Sequence, residues 1–251
     1  MIISEGIVLK ERPVGEQDKF IDILTKESGV VEVSVKGGRK ITGKTGSSTQ
    51  LFAYSRFCMD KRGDRLYLNS AEPIHIFYDL RASLTRLSLA SYFAEVLRYC
   101  INPEAQSADV LRLFLNTLHF LEKDLRSEKQ LRSIFELRLM AETGYMPDMV
   151  ICRGCGVFEP EELFISTDDG SYYCADCYSG LDEAPEGNHM KIKLPVLNAV
   201  RQIVLTDFDR LFNFRLSDEA QEKLSLFTET YLTTHLERSF RTLEFYKSLL
   251  E

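Results

Sequence analysis

The apolar residues of this 251-residue chain change period near residue 79. Before that point they recur at every second position, as in Ile21 and Ile23 or Val31, Val33 and Val35. After it they recur every third or fourth position. A period of two places one face of a strand on a core, and a period of 3.6 places one stripe of a helix there. The chain is therefore expected to be α+β, with its strands first and its helices after.

Five short strands are predicted in the first segment, over 2–10, 19–25, 30–35, 50–59 and 64–69. Gly29 marks one turn, and Lys61-Arg62-Gly63-Asp64 marks another. Five strands in so short a segment favour a closed barrel, because closure removes the exposed edges of a sheet. An OB-type barrel is the natural expectation, and an SH3-like barrel fits the pattern nearly as well. Helices follow over 79–101, 108–125 and 129–143. The second carries the stripe Val110, Leu111, Phe114, Leu115 and Leu118. Later ones are expected over 195–205 and from Ser217 toward Phe240, with Ser217 as N-cap and Asp218 and Glu219 in the dipole-favoured first turn. They are too apolar to stand alone, so they should pack into a helical domain.

Between these helical segments the pattern breaks at Cys152-Arg-Gly-Cys155 and Cys174-Ala-Asp-Cys177, two CxxC pairs with 18 residues between them. This spacing fits four thiolates on one tetrahedral zinc ion, with an iron–sulfur cluster or a redox dithiol pair as the alternatives. Two short strands around the turn Asp168-Asp169-Gly170 complete the outline of a zinc ribbon. The site already offers four ligands, so the expected role is structural, with one zinc ion stapling a segment poor in apolar residues. Cys58 and Cys100 read as isolated buried thiols. The resulting division is a barrel over 1–78, helical segments over 79–149 and 191–251, and the ribbon inserted over 150–190.

Charge narrows the function. The net charge is -7, yet no acid occurs from Val33 to Met59, a window that holds Lys36, Arg39, Lys40, Lys44 and Arg56. Such a basic segment in a barrel suits a phosphate backbone, with Phe52, Tyr54, Phe57 and Tyr67 either as stacking platforms for bases or as core aromatics. The ribbon is ringed by acids and offers only Arg153, so it is not expected to touch DNA. Residues 38–45 also match the phosphate-loop pattern GxxxxGK[ST] letter for letter. A phosphate loop must open into a helix, whereas Gly46-Ser47-Ser48-Thr49 leads toward another strand. No metalloprotease motif, GxSxG elbow or dinucleotide fingerprint occurs, and a non-enzymatic protein is expected. The alternatives are a zinc-containing nucleotide hydrolase using residues 38–45, and a protein-interaction module without nucleic acid. No apolar run is long enough to span a membrane. The N-terminus has Glu5 and no basic region before its short apolar run, so it does not read as a signal peptide. Cytoplasmic residence is expected.

The whole chain resembles the RecO family of bacterial recombination-mediator and DNA-repair proteins. The resemblance rests on Glu5-Gly-Ile-Val-Leu-Lys10, Arg12-Pro-Val-Gly-Glu-Gln-Asp-Lys19, Leu24-Thr-Lys-Glu-Ser-Gly29, Val35-Lys-Gly-Gly-Arg-Lys40 and Leu51-Phe52. The CxxC pairs and Tyr231-Leu-Thr-Thr-His-Leu-Glu-Arg238 extend it. It implies an N-terminal OB fold, a helical domain and an inserted zinc ribbon. It also implies binding of single- and double-stranded DNA, annealing of complementary strands and residence on the nucleoid. The partners implied are RecR and the single-stranded-DNA-binding protein, with RecA served indirectly. Lys36, Arg39, Lys40 and Lys44 carry over as DNA contacts, with Arg56 a weaker candidate.

Overall fold

A computed structural model describes residues 1–38, 45–181 and 186–250. Five strands, β1 (Ile2–Val14), β2 (Asp18–Thr25), β3 (Val30–Val35), β4 (Ala53–Arg62) and β5 (Arg65–Ile76), close into a barrel in the order β1-β2-β3-β5-β4. Every neighbouring pair is antiparallel except β3 and β5, which run parallel and pair Val33 with Leu66 and Ser34 with Tyr67. The closed barrel is the OB-type one expected. Its interior is filled by Val8, Ile21, Ile23, Val33, Val35, Phe57, Met59 and Ala71, one face of each strand. β1 serves two neighbours: Gly6 pairs with Thr25 of β2 and with Ser55 of β4. A Cβ on Gly6 would lie 2.6 Å from the Leu24 carbonyl oxygen, so only glycine lets β1 press this closely on β2. Both β1 and β5 run longer than expected: the added residues pair with β2 and β4 respectively, and most of them are exposed, so they carry no clear apolar period.

The chain forms two compact units, residues 1–124 with 240–251 and residues 125–239. In the first, α1 (Leu84–Cys100) and α2 (Ala108–Glu122) pack beside the barrel, and α8 (Arg241–Ser248) lies on α1. Ser83 caps α1 by accepting from the Arg86 N–H. Arg98 of α1 reaches Asp22 of β2 at 2.6 Å, and the Ser107 hydroxyl donates to the Thr25 carbonyl at 2.8 Å. Glu95 of α1 accepts from the Thr242 hydroxyl at 2.5 Å, and Tyr92 meets Phe240 edge-on.

The second unit is built on α3 (Glu128–Glu142), α5 (Leu194–Leu205) and α7 (Asp218–Leu236). Ser127 and Ser217 cap α3 and α7. The expected long helix from Ser217 toward Phe240 ends earlier. Glu237 adopts a left-handed conformation, φ 48°, and takes its N–H to the carbonyls of Thr233 and Thr234, which closes α7. A three-stranded sheet, ordered β7 (Tyr172–Cys174), β6 (Glu162–Ser166), β8 (His189–Lys193), carries the cysteine segment, with short α4 (Ala175–Ser179) after β7 and α6 (Phe208–Leu211) after α5. The β6–β7 hairpin turns at Gly170 as expected, whereas β8 is an additional strand leading straight into α5. No helix among the described residues is long and apolar enough to cross a membrane.

Candidate metal centre and nucleic-acid interface

The two cysteine pairs arrive from different local structures. Cys152 and Cys155 sit in a tight loop in which Gly156 N–H returns to the Cys152 carbonyl at 2.9 Å and Cys152 N–H donates to the Val157 carbonyl at 3.0 Å. Cys174 ends β7 and caps α4, which carries Cys177. The Arg153 N–H donates to the Tyr172 carbonyl at 3.0 Å and ties the loop to β7. All four sulfurs lie within 4.8 Å of one another, and Cys155 and Cys174 are 3.7 Å apart. Metal–sulfur bonds of about 2.3 Å in a tetrahedron require sulfurs about 3.8 Å apart, so the donor set fits a four-thiolate metal ion. Gly154 allows this closure: a Cβ there would stand 2.7 Å from the Cys177 sulfur.

The thiols are electrically unequal. Burial opposes ionisation of Cys152, yet the backbone N–H groups of Cys155, Cys174 and Gly154 outweigh it and bring this thiol down to about 6. Burial pushes Cys174 up, and hydrogen bonds to the sulfurs of Cys174 and Cys155 push Cys177 up to about 12. Cys152 is thus the thiol brought lowest, beside the raised thiols of Cys174 and Cys177. The other two cysteines stand apart from this cluster, and burial raises Cys100 to about 12.

Of the candidate DNA contacts, Arg39, Lys40 and Lys44 lie outside the described residues. Lys36 is exposed just beyond β3 and in no ion pair among the described residues. Arg56 projects outward from β4 but is engaged: it sits 3.1 Å from Glu5, its register partner on β1. Tyr54 donates to the same carboxylate at 2.9 Å, and the two donors, Tyr54 first, hold Glu5 below the usual carboxylate range. Lys36 and Arg56 are not brought together, since β5 lies between their strands. Of the candidate aromatic platforms, Phe52 and Phe57 are core residues, 1% and 0% exposed. Tyr54 and Tyr67 are half-buried.

The β4–β5 hairpin adds cations that the sequence reading took only as a turn. Lys61, Arg62 and Arg65 are exposed around Gly63, and none is in an ion pair among the described residues. Arg62 lies over the Tyr67 ring, 5.4 Å from its centroid. The signal was present as three basic residues beside one aromatic, but Asp64 and the turn chemistry obscured it. After Thr45 the chain makes a single 3-10 turn, Ser47–Thr49, and enters β4, so no long helix opens there to hold a phosphate.

Fold and site define a class: an α+β protein that joins a closed OB-type barrel to helices bearing a four-cysteine metal-binding module. Two family models match it, Recombination protein O N terminal over residues 1–77 and Recombination protein O C terminal over residues 81–244. The DNA repair protein RecO of Acetivibrio thermocellus is 31% identical over 98% of this chain and 96% of its own length. Those of Caldicellulosiruptor saccharolyticus and Alkaliphilus metalliredigens are 30% and 28% identical, over 98% and 99% of this chain and 98% and 100% of theirs. The chain belongs to the RecO family.

Proposed function

We propose that this chain is a DNA-repair protein that binds single- and double-stranded DNA, anneals complementary strands and assists the loading of a recombinase, without catalysing a reaction of its own. The observation that carries the reading is the likeness to DNA repair proteins named RecO across nearly the whole length of both chains. The barrel supports it with Lys36, Lys61, Arg62 and Arg65, exposed cations in no ion pair within 4 Å among the described residues. Arg39, Lys40 and Lys44 belong to the same proposed contact set, and Arg56 is its weakest member because Glu5 already holds it. Phosphate contacts of this kind neutralise a strand and bring its complement within reach, independent of sequence.

The partners proposed are RecR and the single-stranded-DNA-binding protein, with RecA served indirectly, in the cytoplasm on the nucleoid. Cys152, Cys155, Cys174 and Cys177 are proposed to hold one structural zinc ion. When bound, zinc would neutralise the clustered thiolates and fix the loop and β7 as one body.

The test is annealing of two complementary DNA strands without nucleotide at several salt concentrations. Wild type is compared with K36A/R39A/K40A/K44A and with K61A/R62A/R65A. Nucleotide-free annealing that weakens with salt and drops in both variants is expected. Folded, metal-loaded wild type that neither binds nor anneals DNA at low salt would overturn the reading.

A further inference from the structure

Arg201, in the middle of α5, is 7% exposed and has no carboxylate partner among the described residues. A buried guanidinium without a counter-charge is costly, so its surroundings must recover the loss. They are almost wholly the backbone of the first cysteine loop. Nε donates to the Met149 carbonyl at 2.8 Å, and Nη2 donates to the carbonyls of Val150 at 2.8 Å and Phe158 at 2.7 Å. Nη2 also lies 3.3 Å from the Tyr172 hydroxyl, and the guanidinium carbon sits 3.9 Å from the Phe158 ring centroid. Nη1 is buried with no hydrogen-bond partner.

These contacts bracket the metal-binding loop. Met149 and Val150 precede Cys152, and Phe158 follows Cys155. Tyr172 lies two residues before Cys174, and its hydroxyl donates to the Val157 carbonyl at 2.9 Å. Tyr172 therefore links the Arg201 guanidinium to the first cysteine loop and to the strand that ends in Cys174. One planar fork holds both ends of the loop to α5 and touches the strand that delivers the second pair. Four thiolates on a divalent ion leave a net charge of about -2, for which an unpaired buried cation is a fitting counter-charge.

We propose that Arg201 is a positioning residue for the four-cysteine centre: its guanidinium clamps the loop carrying Cys152 and Cys155 in the metal-ready conformation and offsets the negative charge of the loaded site. This rests on the reading of the cysteines as a metal site.

The experiment measures zinc content of the full chain and the rate of zinc release to a chromogenic chelator, with the absorption of the cobalt-substituted site as a second readout. Arg201→Ala and Arg201→Lys are compared with wild type and with Arg138→Ala. Arg138 is the control: it pairs with Glu142 at 2.7 Å, and its Nη1 donates to the carbonyls of Ile203 and Thr206 at 3.1 and 2.8 Å, away from the cysteine loop. Arg201→Ala is expected to release zinc about 10-fold faster or more. Arg201→Lys, which keeps the charge but not the fork, should fall between it and wild type. Arg138→Ala should lower the melting temperature yet release zinc at the wild-type rate. Should Arg201→Ala fail to fold, Arg201→Lys carries the comparison, and release at the wild-type rate would overturn the proposal. So would zinc loss from Arg138→Ala equal to that from an Arg201 variant of the same melting temperature. Wild type that takes up no divalent metal would overturn the metal reading itself, and this one with it.

Discussion

Lys19 and Glu11 meet at 2.7 Å across the first hairpin of the barrel, with the Lys19 side chain 7% exposed. The same ammonium donates to the Thr49 carbonyl at 2.8 Å, and the other Glu11 oxygen accepts from the Leu51 N–H at 2.6 Å. This pair fastens the chain where it re-enters the barrel before β4. On the other side of the same connection, Asp18 accepts from the Gly37 N–H at 2.8 Å. Lys19 is thus a structural cation. Lys19→Met removes one partner of a largely buried pair and leaves the Thr49 carbonyl unmet, for an expected loss of about 2 kcal/mol in chemical denaturation. The variant should still anneal DNA at temperatures where it remains folded, because the exposed cations are untouched.

A second buried network joins α3 to α7. Arg132 reaches Glu136 at 3.1 Å and Glu229 at 2.5 Å and also contacts the Ser225 hydroxyl. Glu136 is fully buried and accepts from the Thr228 hydroxyl at 2.7 Å. Arg132→Ala strands Glu136 without its cation and should cost about 3–5 kcal/mol. Arg132→Met with Glu136→Leu removes both charges of the buried pair and leaves only the more exposed Glu229 in place, so its cost should be clearly smaller than that of Arg132→Ala. Urea titrations of the two variants make the comparison, and equal losses would refute the network account.

The Glu5–Arg56 pair gives a pH dependence of definite sign. Glu5 has a lowered pKa in the fold because Tyr54 and Arg56 both bond its charged form. The unfolded chain therefore binds the proton more readily than the folded one. The stabilisation is present above the ordinary carboxylate pKa and is lost as pH falls through the lowered folded value. Arg56→Ala should raise the Glu5 pKa while leaving the Tyr54 contribution, which NMR titration of the Glu5 carboxyl would read. The Glu5 side chain is only half-buried and solvent screens the pair, so the effect on stability is small.

Much of this architecture is legible from periodicity alone. Ile21, Ile23, Val33 and Val35 alternate because one face of each strand fills a closed barrel, and those residues do fill it. The two CxxC pairs are legible because four sulfurs at that spacing have few other uses. What stays hidden is which partner each element chooses. An apolar stripe on α1 does not say that Phe240, far away in sequence, will pack on Tyr92. The strand β8 escaped because only Ile192 of its five residues is fully buried, leaving almost no period to read. Arg56 looked like a free cation because nothing local announces that β1 will place Glu5 beside it.

Salt dependence separates the proposed DNA contacts from bystanders. Each cation that neutralises a phosphate contributes about 0.7–0.9 to the slope of log binding constant against log salt. K61A/R62A/R65A should therefore reduce that slope by about 2–3 if all three side chains at the β4–β5 tip touch phosphate. Arg56→Ala should change it little, since its guanidinium is already held by Glu5. Arg62→Lys keeps the charge but loses the planar stack over Tyr67, so it should preserve the slope while weakening binding to single strands. Fluorescence anisotropy with labelled single and double strands, titrated across salt, reads all three variants. A slope unchanged in the triple variant would move the DNA surface away from this hairpin. A slope lowered for duplex and single strand alike would place it there.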